Sequence, residues 1–130
     1  MAGGVVDYRH RFPIKPYPMK DAEREILLSF WKVHILHHAD QGPVHGRWLM
    51  GELREHGYEI SPGTLYPLLD RMERRGWLKS RREGVGARAR RSYRLTPRGR
   101  QVLKLVREQV AELYEEVVKQ AKRKGNQLKR

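Results

Sequence analysis

Between Ile60 and Gly76 the apolar residues Leu65, Leu68, Leu69 and Met72 recur at three- and four-residue spacing, which predicts a helix with one face turned to a core. Ser61-Pro62 marks its start. The serine oxygen can cap a free backbone N–H, and a proline at the first helical position gives up a donor that has no partner there. Gly76 marks the end, after Arg74 and Arg75 have placed positive charge at the negative pole of the helix dipole. Pro67 deletes the N–H that would reach Gly63, so a slight kink is expected. The opposite face carries Gly63, Thr64, Tyr66, Pro67, Asp70, Arg71 and Arg74, with no bulky aliphatic in its first turn. Such a surface suits a nucleic-acid groove.

From Asp21 to about His38, Ile26, Leu27, Leu28, Phe30, Trp31, Val33, Ile35 and Leu36 cover most of a helix circumference. A helix apolar nearly all round is buried on more than one side, and in so small a protein the second side points to a partner subunit. A shorter helix is expected from about His45 to His56, with Trp48, Leu49 and Leu53 inward and Gly57 closing it. This helix, the connector Tyr58 to Ile60 and the Ser61–Gly76 helix make a helix-turn-helix, whose second member enters the major groove.

Beyond Gly76 the period shortens to two. Trp77 to Glu83 and Arg91 to Thr96 alternate apolar and charged residues around a basic, glycine-containing tip, Gly84 to Arg90, which reads as a hairpin and so as a wing. Thr96-Pro97 repeats the cap-and-proline start, and a final helix is expected to about Lys122. Its stripe, including Val106, Val110, Leu113, Tyr114 and Val117, is broader than its own domain needs. The excess implies a partner helix, most simply the same helix of a second subunit. The fold class is therefore mainly α with a small β-hairpin: an extended arm over 1–19, a winged helix-turn-helix over 20–96, a dimerisation helix over 97–124 and a basic tail over 125–130. The arm holds Pro13, Pro16 and Pro18 between Tyr8, Phe12, Ile14 and Tyr17, and reads either as packed on the body or as a solvated leader.

Composition narrows the partner. At 130 residues and 38% hydrophobic content the chain makes one small domain plus an extension. A net charge of +13 points to a polyanion, either nucleic acid or an anionic membrane surface. No apolar run approaches the roughly 18 residues of a membrane span, and Met1 to Asp7 lacks the charged-then-apolar design of a signal peptide. With no cysteine there are no disulfides or thiol metal sites, and the expected location is the cytoplasm or nucleoid. Arg71 to Arg100 holds twelve arginines and lysines against two glutamates, so most of the excess charge lies on the wing and the helix before it. Arg88, Arg90 and Arg91 at the wing tip are placed to enter a minor groove or lie along phosphates.

Other chemistries find little support. The chain offers no nucleophile-and-base pairing and no phosphate loop, so no enzyme and no cofactor is expected. His34, His37 and His38 share a helix face, but no carboxylate or cysteine completes a set in the sequence pattern. The helix dipole accounts for histidines at that end, and no metal is expected.

His45-Gly46, then Tyr58-Glu-Ile-Ser-Pro-Gly-Thr-Leu-Tyr-Pro-Leu-Leu69, Met72-Glu-Arg-Arg-Gly-Trp-Leu78, and Arg91-Ser-Tyr-Arg-Leu-Thr96 with Gly99-Arg100 resemble the PadR family of bacterial transcriptional regulators. The resemblance spans roughly Ile26 to Leu113. It implies a winged helix-turn-helix that dimerises through its first and last helices and binds a pseudo-palindromic DNA operator, usually as a repressor. It places Ser61, Thr64, Tyr66 and Pro67 at the DNA, and the basic wing residues Arg88, Arg90 and Arg91 add contacts; Arg71, on the same helix, is expected to neutralise a phosphate. Ile26, Phe30, Val106, Val110, Leu113 and Val117 fall at the expected homodimer interface. Several relatives bind aromatic small-molecule effectors between the subunits. Phe30, Trp31 and Tyr114 could line that space here, or simply pack the dimer core. A non-specific nucleoid-type nucleic-acid binder and a winged-helix protein-interaction module are the alternative readings of the same fold.

Overall fold

A computed structural model describes residues 21–128; the proline-rich arm expected over residues 1–19 lies outside the described residues. The first helix, α1, is Asp21–Gln41, followed by a two-residue strand, β1 (Val44–His45), and α2 (Gly46–Glu55). The third helix, α3, is Pro62–Arg74, β2 is Leu78–Glu83 and β3 is Arg90–Leu95. The last helix starts as α4 (Pro97–Leu113), widens into a π-helical stretch over Tyr114–Gln120 and continues as α5 (Ala121–Leu128).

Glycines set the ends of α2 and α3 by the same device. Gly57 and Gly76 adopt φ of +90° and +78°, a conformation that L side chains rarely take. After α2, Gly57 N donates to Arg54 O and Tyr58 N to Leu53 O; after α3, Gly76 N donates to Glu73 O and Trp77 N to Met72 O. Both are Schellman closures, and each turns the chain sharply into the next element. The turn at Gly76 delivers the chain into β2, and Glu73 fixes the junction by accepting from the backbone N–H and the hydroxyl of Ser80.

Ser61 occupies the N-cap of α3, but its side chain does not cap the helix. Its carbonyl takes the N–H groups of Thr64 and Leu65, and its hydroxyl turns instead to Thr64 Oγ1 at 3.3 Å. Thr96 does cap α4 as the sequence suggests: its Oγ1 accepts from Gly99 N at 2.9 Å while its proton points to the Gly76 and Trp77 carbonyls. Gly99 has to be glycine there, because a Cβ would sit 2.1 Å from the Trp77 carbonyl oxygen. α3 runs unbroken across Pro67.

The sheet is antiparallel in the order β1-β3-β2. β2 and β3 pair from Leu78↔Leu95 to Glu83↔Arg90, and β1 adds Val44↔Tyr93 and His45↔Ser92. The third strand is absent from the hairpin expected from sequence, since two residues are too few to show an alternation. One core joins all of this: Trp31, Ile35 and Leu36 of α1, Leu49 and Leu53 of α2, the four apolar positions of α3, Leu78, Tyr93 and Leu103. Trp48, expected inward, is 49% exposed and stands edge-on to His38. It falls one position outside the buried Leu49–Leu53 row of a short helix, so one side of the indole has no neighbouring element to cover it.

α1 runs a turn beyond His38, and the last helical segment reaches Leu128, beyond the Lys122 end read from sequence. From Lys104 onward no described residue is buried. Past its root, where Val106 is half-buried, this helix projects beyond the body. Asp40 ties its root to α1 through Arg100 at 3.4 Å and Arg107 at 3.5 Å. Among the described residues no helix is long and apolar enough to cross a membrane.

Candidate nucleic-acid interface

Burial of Leu65, Leu68, Leu69 and Met72 fixes the rotation of α3, and that rotation sends Ser61, Pro67 and Arg71 to the surface, with Tyr66 exposed and Thr64 half-buried. Tyr66 lies over the start of α2. A Cβ on Gly46 would come within 2.6 Å of Tyr66 Cε1, so the glycine of the His45-Gly46 pair is what makes room for the ring at the helix start.

The ring forms one wall of an open cleft whose other sides are His45, Arg47 and Trp48 of the β1–α2 junction and Arg90 and Arg91 of β3. The fold thus brings Tyr66 of α3 and the base of the wing to one cleft. Arg90 and Arg91 belong to the strand, not the tip, while Arg88 sits in the short 3-10 turn Gly86–Arg88 that caps the hairpin. All three guanidinium-bearing residues are exposed. Arg91 is oriented by donating to Ser80 Oγ at 3.1 Å. At the inner side of the wing, buried Ser92 donates to Glu83 Oε1 at 2.9 Å, and His45 Nε2 lies 4.0 Å from the other carboxylate oxygen. These polar ties hold the hairpin against β1, so the wing arginines are carried on a braced ribbon.

Two cations missed by the sequence reading join this surface. Arg47, the first exposed residue of α2, faces the cleft. Arg24 Nη2 donates to Thr64 Oγ1 at 2.7 Å across 40 positions of sequence. With Arg24 and Ser61 both donating to it, Thr64 Oγ1 has its lone pairs occupied, which leaves its proton as the group it can offer to a further partner. A basic residue in the first turn of α1, where the dipole prefers acids, was the available signal for Arg24.

The residues read as a subunit interface are exposed along two faces. Ile26 is 62% exposed and Phe30 lies beside it on α1; Val110, Leu113, Tyr114 and Val117 are exposed on the projecting helix, with Val106 half-buried at its root. Trp31 does not join them. It is 1% exposed, packed in the core with its ring edge-on to Tyr58, and so cannot line a space between subunits. Helical rotation explains the difference: Phe30 and Trp31 are neighbours in sequence and therefore about 100° apart around α1.

Comparisons with known proteins identify the family of the chain. Residues 35–105 match the sequence profile of the transcriptional regulator PadR-like family. The chain is 50% identical over 95 residues to the transcriptional regulator Rv3488 of Mycobacterium tuberculosis, a match covering 73% of this chain and 89% of that protein. Among solved structures it is similar to a PadR family transcriptional regulator from Eggerthella lenta, with 31% identity, a TM-score of 0.63, and coverage of 78% of this chain and 93% of the other. A transcriptional regulator from Clostridium thermocellum aligns with 26% identity and a TM-score of 0.65 over 73% of this chain and 96% of the other. The chain belongs to the PadR-like family of transcriptional regulators.

Proposed function

We propose that this transcriptional regulator binds a pseudo-palindromic DNA operator as a homodimer in the cytoplasm and acts as a repressor. The observation that carries the reading is the cleft in which Tyr66 of α3 meets Arg47 of α2 and Arg90 and Arg91 of the wing, with Ser61 and Pro67 exposed on the same helix. Arginines and lysines neutralise phosphates and release counterions, which gives affinity without sequence preference and a steep salt dependence. The first turn of α3 supplies selectivity. Thr64, with its proton free, reads a base edge or a thymine methyl, while Ser61 and Tyr66 hydrogen-bond phosphates and fix the docking angle.

Two-fold pairing through the exposed apolar faces of α1 and the projecting helix spaces the half-sites by about one DNA turn, roughly 10 base pairs. Phe30 and Tyr114 lie on those faces, where they pack the subunit contact or border a space for an aromatic effector. Arg71→Ala weakens binding to all sequences alike and lowers the salt slope by about one, whereas Thr64→Ala changes the preferred sequence.

The test is selection of bound sequences from a random duplex pool at about 150 mM salt, where phosphate contacts alone are weakened. Enrichment of an inverted repeat with one-turn spacing supports the operator-binding dimer. Binding with no enriched motif that vanishes as salt rises favours the non-specific reading, for which the net charge of +13 is the motive.

A further inference from the structure

On the side of α1 that faces α2, His34 and His38 stand one turn apart, and Glu52 and His56 stand one turn apart on the facing edge of α2. One ring nitrogen from each of His34, His38 and His56 lies within 4.8 Å of the others. Glu52 Oε1 is 3.7 Å from His38 Nε2 and 3.5 Å from His56 Nε2, so a carboxylate oxygen stands beside two of the three rings. The Schellman closure at Gly57 positions His56, since it makes this residue the C-cap of α2. Both ring nitrogens of His38 are buried without a hydrogen-bond partner among the described residues, and its side chain is only 11% exposed. An imidazole with two unsatisfied buried nitrogens is costly, and a bound ion would take up one of them.

We propose that His34, His38, His56 and Glu52 bind one divalent transition-metal ion per chain, with zinc the reference ion. Three imidazoles and a carboxylate are a borderline-soft donor set suited to a tetrahedral ion, with metal–ligand distances of about 2.0–2.2 Å. Ligands at those distances stand about 3.4 Å from one another. The Glu52 contacts are already near that spacing, and the histidine nitrogens close on it through side-chain rotations of about an ångström. The rings are ready as ligands. Burial, followed by the neighbouring histidines, lowers the pKa of His34 to about 4, and burial lowers that of His38 against the opposing pull of Glu52. Neutral imidazoles bind metal without first losing a proton.

The surroundings fit a bound ion. Tyr58 stands edge-on to His34 and Trp48 edge-on to His38, which gives the site an aromatic shell, and His38 also lines the open cleft, which gives an ion a way in. His37 is turned aside toward Gln41 and Arg107, and His45 belongs to Glu83, so neither joins the set. Bound metal would clamp α1 to α2, the helix on which α3 rests. The site itself stands whether or not the chain binds an operator.

The experiment is a titration of Zn²⁺ into the tag-free full-length chain, freed of metal by chelator, in competition with a chromogenic chelator. One equivalent bound per chain with a dissociation constant at or below the micromolar range is expected, together with a tetrahedral Co²⁺ absorption spectrum. His34→Gln, His38→Gln and His56→Gln each weaken binding by at least about 100-fold and Glu52→Gln by about tenfold, while His37→Gln and His45→Gln leave it unchanged. Long-range ¹H–¹⁵N spectra of the wild-type histidines provide a readout that does not depend on a variant folding: Zn²⁺ shifts the resonances of three of the six histidines. Absence of stoichiometric binding, shifts confined to other histidines, or folded His38 and His56 variants that bind like wild type would each overturn the site.

Discussion

α3 and the projecting C-terminal helix carry the same kind of apolar stripe, and the chain treats them in opposite ways. In α3, Leu65, Leu68, Leu69 and Met72 are all buried. In the last helix Leu103 is buried, while Val110, Leu113 and Val117 further along the stripe stay exposed, Val117 at 57%. Burying each such side chain is worth about 1.5–3 kcal/mol, so the second stripe leaves a considerable gain unrealised within one chain. Periodicity says which face is apolar. It does not say whether the cover comes from the same chain or from another.

The sharpest way to separate the two stripes is to truncate one side chain in each. Leu68 is fully buried, and Leu68→Ala is expected to cost about 2–5 kcal/mol and lower the melting temperature by roughly 10 °C or more. Val117→Ala, at a protein concentration low enough to keep chains apart, should change the melt by less than about 0.5 kcal/mol. Thermal melts followed by circular dichroism decide it. Equal losses would mean that the projecting helix is already covered within the chain.

Charge placed on the exposed stripe tests the partner directly. Val110→Glu combined with Leu113→Glu should leave the melt of the winged-helix body intact and yield a monomer by sedimentation velocity. Operator affinity should fall by about 100-fold or more, because two linked half-site contacts become independent. A doubly substituted chain that still sediments with wild type would assign the stripe some other cover.

The next effect is local to the recognition surface. Gly46→Ala pushes a methyl against Tyr66, and since the obstacle is the end of a side chain, the ring moves and the helices stay. The expected cost is about 1 kcal/mol in stability, at the low end for overpacking, with a loss of roughly tenfold in operator affinity. In a double-mutant cycle with Tyr66→Ala the two affinity losses should not add, because both act through the same ring. Additive losses would mean that Gly46 contacts DNA by itself.

The same contrast explains how much was legible in the sequence. Elements whose cover is local in pattern read directly: α3 from its four-residue row, the hairpin from its alternation, the ends of α2 and α3 from Gly57 and Gly76. What escaped depends on two distant segments meeting. The β1 strand is two residues long and exists only because β3 offers it an edge. Arg24 reaches Thr64 across 40 positions, and His34 and His38 gain His56 and Glu52 only when α1 crosses α2. Trp31 was read onto the subunit face because a helix apolar all round does not declare which of its residues its own domain will take. Ser61 followed the cap rule in position but not in bonding: no backbone N–H reaches its side-chain oxygen, and its hydroxyl donates to Thr64 Oγ1.

The smallest effect expected is also the most specific. Arg24 holds Thr64 Oγ1 as an acceptor and so fixes the side of the hydroxyl that can still donate. Arg24→Ala removes one exposed cation and, with it, the constraint on the Thr64 rotor. If Arg24 acted only as a charge, its loss would weaken every duplex alike by about 1 kcal/mol, roughly fivefold, and lower the salt slope by about one. If it positions Thr64, operator affinity falls by a similar amount while random duplex is less affected, and Thr64→Ala made on top of it adds little. Arg24→Lys is the discriminating variant, because lysine keeps the charge but lacks the planar fork that aims the hydrogen bond. Retained affinity with a broadened sequence preference in Arg24→Lys would identify a positioning residue 40 places upstream of the helix it serves.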